Sequence, residues 1–194
     1  MNLRKLLLLL IIVFAASFSA SAQKAAIKTN LLGDVTLNVD AGVEFGLAPR
    51  WSLDVTGQFN AWTIKDHKWK HWFAQPEARY WLCDAFEGNF FGFHLLGGQY
   101  NFGNLKNGIN FLGSDFSQLS DYRFQGWAAG AGIAYGYAWI LSKHLNLEAE
   151  IGIGWLYTRY TKYPCASCGT VIEKDQPHNY VGPTKAALNI VYVF

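Results

Sequence analysis

Charged side chains recur at every second position inside segments that are otherwise apolar. In the run LNLEAEIGIGWLY, Glu148 and Glu150 alternate with leucine, alanine and isoleucine. Glu77 and Arg79 have the same spacing. Alternation of this kind places charged and apolar side chains on opposite faces of a β-strand. Carboxylates and a guanidinium on one shared face can form bidentate, charge-assisted hydrogen bonds.

Ten charged or titratable residues lie on the polar face of such an alternating segment, and together they form the predicted interior polar network. They are Lys28, Asp40, Glu44, Asp54, Glu77, Arg79, His94, Glu148, Glu150 and Lys185. The set has six carboxylates and three permanent cations, so some acids must share a cation, reach water or take up a proton. An isolated buried charge is costly. We therefore expect a hydrogen-bonded network in which Arg79 is the main bidentate donor.

The segment CASC contains two cysteines, Cys165 and Cys168. Two thiolates are half of a zinc site, and His178 would add only a third ligand. In an exported loop, a disulfide between Cys165 and Cys168 is the favoured interpretation, and metal binding is the alternative. Cys83 lies in the short segment CDAFEG, a predicted turn at the end of the strands opposite to the CASC loop. It is expected to be a free, partly buried thiol. We predict no metal and no cofactor.

A basic and aromatic segment, KDHKWKHW, begins at Lys65. Such a segment is typical of a membrane interface, where ammonium groups meet lipid phosphates and indoles lie at the headgroup boundary. The residues predicted to contact lipid or lipopolysaccharide at the outer rim are Lys65, His67, Lys68, Trp69, Lys70, His71 and Trp72.

An enzyme that modifies lipid A is the alternative function for this segment. Asp66 and His67, with Ser114, Ser117 or Ser120 from the next loop, would supply the acid, the base and the nucleophile. None of these serines lies in a diagnostic motif. We therefore predict no catalytic residues and no enzymatic activity.

The elements that must position these residues are strands, because apolar residues alternate in segment after segment. Most segments have about the 9–11 residues that cross a bilayer at a tilt. Eight strands are predicted, over residues 24–33, 36–47, 51–62, 73–82, 89–100, 123–140, 145–159 and 183–194.

The connections between these strands alternate in length. APR, CDAFEG and SKH follow strands two, four and six, whereas residues 63–72, 101–122 and 160–182 follow strands three, five and seven. Outer-membrane barrels show this asymmetry, with tight periplasmic turns and long extracellular loops. The predicted fold class is all-β: an eight-stranded antiparallel up-and-down transmembrane β-barrel with both ends in the periplasm.

A secreted soluble barrel with its apolar face inward is the competing fold. The polar faces carry few charges for a water-facing surface, and aromatic residues near strand ends match the girdles of membrane barrels. These aromatics are Trp51, Tyr80, Trp139, Tyr157 and Tyr192. Both features favour the membrane barrel. Because side chains fill an eight-stranded interior, we expect a closed lumen; a small-solute channel is a further alternative that needs a continuous water-filled lumen.

The sixth strand has an almost bare inner face, formed by Gly126, Ala128, Gly130, Gly132, Ala134 and Gly136. One interpretation is that the small residues make room for large inward groups from other strands. The other is a small cavity open to one side.

The chain begins with a predicted secretory signal peptide, residues 1–22. Arg4 and Lys5 precede an apolar run, and an A-x-A site directs cleavage after Ala22. Of 16 basic residues, 14 then remain against 14 acidic ones. This balance argues against nucleic acid as a partner. Residues 23–194 are expected to form one barrel domain, exported to the cell outer membrane.

Three segments resemble one protein family. They are IKTNLLGD from Ile27, GVEFGLAPRWSLDV from Gly42, and HKWKHWFAQPEARYWLCDAFEGNFFGFHLLGGQYNFG from His67. Together they are similar to domain of unknown function 3575, an outer-membrane β-barrel family of Bacteroides-type bacteria. The resemblance covers most of residues 23–194 and is weakest over 101–122 and 160–182.

The resemblance implies a place in the outer membrane, with lipid and lipopolysaccharide as partners. Family members are often encoded near fimbrillin-type proteins, which makes fimbrial or other surface proteins candidate partners. The terminal Phe194, after the strand ALNIVYV, resembles the signal that the barrel-assembly machinery recognises. The predicted function is a structural or interaction role through the long outer loops, linked to fimbriae or envelope assembly.

Overall fold

Eight principal strands form the body of the protein. A computed structural model describes residues 24–35, 37–64, 67–103, 110–111, 114–115, 121–165 and 169–194. The strands, numbered in chain order, are β1 (Ala25–Asn30), β2 (Val39–Ala48), β3 (Trp51–Asn60), β4 (His67–Trp81), β5 (Gly88–Gly103), β6 (Arg123–Ile140), β7 (Leu145–Tyr163) and β8 (Glu173–Val193). A five-residue helix, α1 (Leu31–Val35), follows β1. Three two-residue strands lie in the connections, at Thr63–Ile64, Asn110–Phe111 and Ser114–Asp115.

The eight strands pair antiparallel and close into a ring. Each strand pairs with its neighbours in chain order, and β1 pairs with β8 to complete the circuit. In the closing pair, Ala26 lies opposite Val193; between β3 and β4, Trp51 lies opposite Tyr80. The prediction of an all-β fold with eight antiparallel strands is therefore confirmed.

The two ends of the ring differ in their connections. Residues 49–50, 82–87 and 141–144 connect strands at one end, called here the short-turn end, where the ring also begins and finishes. At the other end, called here the loop end, β3, β5 and β7 finish and are followed in the chain by residues 61–66, 104–122 and 164–172, and α1 follows β1.

Strands at the loop end are longer than the sequence predicts. β4 begins at His67 rather than at residue 73, and β8 begins at Glu173 rather than at residue 183. Backbone pairing continues through both segments, with His71 opposite Tyr100 and Thr158 opposite His178. The apolar alternation stops before the strands do. Much of the predicted loops 63–72 and 160–182 is therefore β-strand. At the loop end, strands β4 to β8 extend beyond β1, β2 and β3, and this projecting part of the sheet is called here the wall of long strands.

The first strand is instead shorter than predicted. It ends at Asn30 rather than at residue 33. The Asn30 side-chain oxygen accepts a hydrogen bond from the backbone N–H of Leu32 at 3.1 Å, as a residue at a helix N-terminus does. This contact turns the chain into α1, which contacts β8 and β2.

The ring has an apolar outer face and a polar interior. Each strand contributes a large outward apolar side chain that is between 38% and 62% exposed: Ile27, Val43, Val55, Trp72, Phe93, Ile133, Ile151 and Ile190. The buried positions alternate with these along the strands and include most of the charged side chains of the strands. The distribution is the reverse of that in a water-soluble barrel.

A small apolar cluster fills the interior at the short-turn end. Trp81 and Phe90 are packed 4.6 Å apart between ring centroids, and Phe86 packs against Trp81. Ala26, Ala85, Ala138 and Val191 complete this plug. Among the residues that the structure describes, no helix is long and apolar enough to cross a membrane.

Candidate functional site

Arg79, on β4, is at the centre of a buried ion-pair network. Its side chain has no exposed surface. Five carboxylates from four strands contact its guanidinium: Glu77 at 2.6 Å, Glu150 at 2.7 Å, Glu44 and Glu148 at 2.9 Å, and Asp54 at 3.1 Å. Alternation directs each of these side chains inward from its own strand. The closed ring then brings them together around one cation.

Two lysines flank the guanidinium and share its carboxylates. Lys28 Nζ lies 2.5 Å from Glu44 and 3.5 Å from Asp54 and Glu148. Lys185 Nζ lies 2.8 Å from Glu77, 3.1 Å from Glu150 and 3.8 Å from Asp54. Every carboxylate of the network therefore contacts at least two cations.

The network is short of positive charge. It holds five carboxylates and three permanent cations, a formal charge of 3 − 5 = −2 with every acid ionised and His94 neutral. His94 lies 3.5 Å from Glu77 through Nδ1 and 2.8 Å from the Thr184 hydroxyl through Nε2. Protonation of this imidazole or of one carboxylate would reduce the imbalance.

Neutral side chains supply further hydrogen bonds to the acids. The Asn189 amide donates to Glu148 at 2.7 Å. The Ser52 hydroxyl donates to Glu44, and the Trp81 indole N–H donates to Ser52 at 2.8 Å. Asn189, Ser52 and Trp81 are absent from the predicted network, because the prediction rests on charged and titratable side chains alone. Each of them lies at an inward position of the same alternation, and that signal could have found them.

The structure brings nine of the ten predicted network residues together, and Asp40 is the exception. Asp40 is buried but lies on β2 further towards the loop end, four residues before Glu44. The backbone of α1 packs directly on its carboxylate, because a side chain at Gly33 would overlap with it. Asp40 therefore belongs to a separate region of the interior.

The bare inner face of β6 makes room for side chains of β5. A Cβ added at Gly132 would lie 2.5 Å from His94 Nε2, and one added at Gly136 would lie 2.7 Å from Phe90 Cε1. Both distances are too short for real contacts. These glycines allow His94 to reach the network and Phe90 to lie 4.4 Å from the Arg79 guanidinium carbon, in a cation–π contact.

A chamber of about 340 Å³ lies on the loop side of the network. Seven of the eight strands line it, all except β6. Lys28, Lys185 and Asn189 form its floor, and Asp40 and Gln75 are among its walls. The interior is thus divided into three layers along its length: the apolar plug, the ion-pair network and the chamber.

The predicted outer-rim residues lie on both faces of β4. Lys70 and Trp72 are exposed and Lys68 is half-buried. His71, by contrast, is only 7% exposed, with its ring centroid 5.5 Å from that of Phe73 and 5.8 Å from that of Phe102. Trp69 stacks on Phe102 at 4.5 Å. Trp69 and His71 therefore lie on the face of β4 opposite that of Lys70 and Trp72, because strand alternation continues through this segment, although Trp69 is 37% exposed. The contact with lipid or lipopolysaccharide at the outer rim stays a prediction.

Parts of the predicted rim lie outside the described residues. These are Lys65 and the side chain of His67, and the same holds for Asp66, Ser117, Ser120 and the side chain of Ser114. Every residue named for the lipid A enzyme therefore lies, wholly or with its side chain, outside the described residues.

The cysteines follow the sequence prediction in part. Cys165 takes part in a disulfide. Its predicted partner, Cys168, lies outside the described residues, so the Cys165–Cys168 pairing stays a prediction. Cys83 is a free thiol, but it is exposed rather than partly buried. No group of three or more metal-ligating side chains occurs in the described part of the chain.

The fold and the site define a class of all-β proteins in which a closed antiparallel ring encloses an ion-pair network and turns its apolar side chains outward. Within this class the chain belongs to the family described as protein of unknown function DUF3575, whose model matches residues 8–194. The match includes residues 101–122 and 160–182, over which the resemblance of the quoted segments is weakest. No curated protein and no solved structure matches the chain significantly.

Proposed function

We propose that the ring is a transmembrane β-barrel of the outer membrane, exported with cleavage after Ala22, and that it has a structural or interaction role. The observation that carries the proposal is the inverted distribution of side chains. The ten predicted network residues all lie inside the ring at 0–9% exposure, while large apolar side chains of all eight strands face outward. A lipid environment removes the cost of that outer surface.

Aromatic side chains at both ends of the ring support membrane insertion. Near the short-turn end, Trp51 packs on Tyr80 and Tyr137 on Trp139. Trp72, Trp127 and Trp155 are exposed on the outer face towards the loop end. Tryptophan and tyrosine concentrate at the two interfaces of a bilayer. The apolar residues between these two groups would form the lipid-facing band.

Basic residues above the loop-end tryptophans support contact with lipopolysaccharide. Lys68 and Lys70 lie on β4, and Arg123 lies on β6 across the intervening β5, where Lys68 and Arg123 both stand opposite Gly103. Such a cluster fits the phosphates of an outer leaflet, with tryptophans at the headgroup boundary below it.

The filled interior favours a structural or interaction role over a channel. The plug around Trp81 and the network around Arg79 occupy successive layers of the lumen. Side chains are enough to fill a ring of eight strands. A solute would have to displace paired charges and packed aromatic rings to pass.

The loop end is the proposed interaction surface. Exposed apolar side chains lie there outside the strands or near their ends: Val35, Leu37, Trp62, Val171 and Ile172. Exposed apolar groups of this kind suit protein contacts. With the wall of long strands they would contact a fimbrial subunit or another envelope protein. At the opposite end, Phe194, the residue after β8, would engage the barrel-assembly machinery.

Two variants, each with one affinity tag at a different end of the ring, test this role. One variant carries the tag within the connection 104–122, and the control carries it after Ser142, in a short turn. Cells are crosslinked and the captured proteins identified. We expect fimbrial or other surface proteins with the first tag and not with the second. Identical captures from both positions, or lipid A turnover by the purified protein, would contradict an interaction role at the loop end.

A further inference from the structure

The chamber above the ion-pair network contains polar groups that the fold leaves without partners. Neither carboxylate oxygen of Asp40 has a hydrogen-bond partner among the described residues, although the residue is only 7% exposed. The amide nitrogen of Gln75, at 5% exposure, is in the same situation. Both residues line the chamber. Buried polar groups in proteins are normally satisfied, so these two require an explanation.

The electrostatic environment of Asp40 favours a positively charged partner. None of the ion pairs within the described part of the chain includes Asp40. Asp34, on α1, adds a second negative charge nearby. The network below carries a further formal excess of negative charge, and its lysines at the chamber floor, Lys28 and Lys185, are already bound to carboxylates. An anion would find no available cation here.

The walls of the chamber differ in polarity. Thr29, Thr56, Gln75 and Asp40, from β1 to β4, provide hydroxyl, amide and carboxylate groups. Phe73, Leu96 and Leu156, from β4, β5 and β7, provide an apolar surface. A mainly apolar cavity of a few hundred Å³ with a few placed polar groups is the usual form of a small-molecule site.

We propose that the chamber binds a small organic cation that carries a short apolar tail. The ammonium group would donate hydrogen bonds to Asp40, and the tail would pack against Phe73, Leu96 and Leu156. A metal ion fits less well, because the described residues contain no group of three metal-ligating side chains. The binding is independent of the role proposed for the loop end.

The position of the chamber determines how a ligand reaches it. On β1, β2 and β3 its lining residues lie on the loop side of Lys28, Glu44 and Asp54. The network and the plug close the opposite side. A ligand therefore enters from the loop end, which the membrane proposal places outside the cell.

Calorimetric titration of the purified folded protein in a non-ionic detergent tests the proposal. The probes are n-butylammonium, n-butanol and butyrate, which share one tail and differ in the charge of the head. Because charge-assisted hydrogen bonds are roughly twice as strong as neutral ones, we expect saturable binding of n-butylammonium that is at least about tenfold tighter than that of n-butanol. No binding of butyrate is expected.

The substitution Asp40→Asn removes the charge and keeps the shape of the side chain. It should weaken n-butylammonium binding by at least about tenfold and leave the fold intact, since it relieves an unpaired buried charge. The matched control is Asp84→Asn, because Asp84 is an exposed carboxylate in a short turn at the opposite end. The control should bind as the unsubstituted protein does. Circular dichroism verifies folding of both variants.

Several results would overturn the proposal. These are similar affinities for the three probes, no binding of any probe, and n-butylammonium binding that Asp40→Asn leaves unchanged. Calcium chloride binding that depends on Asp40 without n-butylammonium binding would replace the organic cation with an inorganic one. If the ring is not a membrane protein, the same titration without detergent still tests the chamber, so the two proposals fail separately.

Discussion

Arg79 contacts five carboxylates and has no access to solvent, so its removal would leave buried acids without their shared cation. Breaking a buried ion pair from one side typically costs about 3–5 kcal/mol. We predict that Arg79→Ala lowers the free energy of unfolding by at least this amount, measured by urea unfolding in detergent or lipid.

The matched control for this substitution is Arg50→Ala. Arg50 is an exposed arginine in the connection between β2 and β3. A surface change of this kind is expected to alter stability by no more than about 0.5 kcal/mol. An Arg79→Ala protein that is less than about 1 kcal/mol less stable than the parent would show that the carboxylates are solvated or protonated instead of held by the guanidinium.

At the residue scale, alternation predicts which side chains point inward but not how they pair. The sequence identifies the charged set because each member points to one face of its strand while its apolar neighbours in the chain point to the other face. Which acids share Arg79 depends on the register between strands, which no single strand encodes. Asp40 has the same pattern as Glu44, yet it lies above the network, because alternation defines a face and not a height along the strand.

At the element scale, the glycines of β6 are predicted to be required by their neighbours on β5. Gly136→Ala would place a methyl group against Phe90 and against the Ala149 carbonyl oxygen at 2.8 Å. Overpacking of this kind costs about 1–3 kcal/mol. The double substitution with Phe90→Leu should recover part of the loss. Unfolding midpoints of the single and double variants provide the measurement.

Gly97→Ala is the control for this prediction. An added Cβ at Gly97 has nothing within 4 Å, so the change should be neutral or stabilising by up to about 1 kcal/mol. Equal destabilisation by Gly97→Ala and Gly136→Ala would mean that backbone flexibility, and not room for Phe90, explains the glycines.

The loop-side part of β8 has an exposed edge that its prolines protect. Within the described ranges, the pairing of β1 with β8 covers Asn189–Val193 and no further residue of β8. The Asn30 side chain then caps the edge through the Ala186 carbonyl and the Leu188 N–H. Pro177 and Pro183 lie further along the strand and have no N–H to offer a partner strand.

Replacing both prolines should therefore promote association. We predict that Pro177→Thr with Pro183→Thr forms dimers or larger species at concentrations where the parent is monomeric, as measured by light scattering after size-exclusion chromatography. Val181→Thr, on the same strand, is the control, because Val181 already has an N–H. A monomeric double variant would contradict the protective role of the prolines.

The sequence predicts the number of strands but not their outer limits. Apolar alternation identifies the segments that face lipid in the proposed barrel, and those predicted boundaries hold at the short-turn end. It does not detect pairing beyond that band, as in residues 67–72 and 173–182, because polar and apolar side chains are mixed on both faces there. The turn at Asn30 depends on one side-chain contact and has no periodic signal.

At the scale of the whole molecule, the inverted side-chain distribution is the central observation. An outward residue such as Ile133, at 61% exposure in the middle of β6, has water as its neighbour in a soluble protein and lipid in a membrane. The internal ion pairs are equally compatible with both settings. The accessibility of each end of the protein from outside the cell therefore distinguishes a membrane barrel from a soluble one better than a stability measurement does.

Labelling of thiols at the two ends of the ring in cells tests directly whether the protein spans the outer membrane. Cys83 is a free, exposed thiol at the short-turn end. A second variant, Cys83→Ser with Lys174→Cys, moves the exposed thiol to the loop end. The reagent is a polyethylene-glycol maleimide too large for outer-membrane pores, applied to intact cells and to cells with a permeabilised outer membrane. We predict labelling of Lys174→Cys in intact cells and of Cys83 only after permeabilisation. Equal labelling of the two positions under both conditions would contradict a barrel that spans the outer membrane.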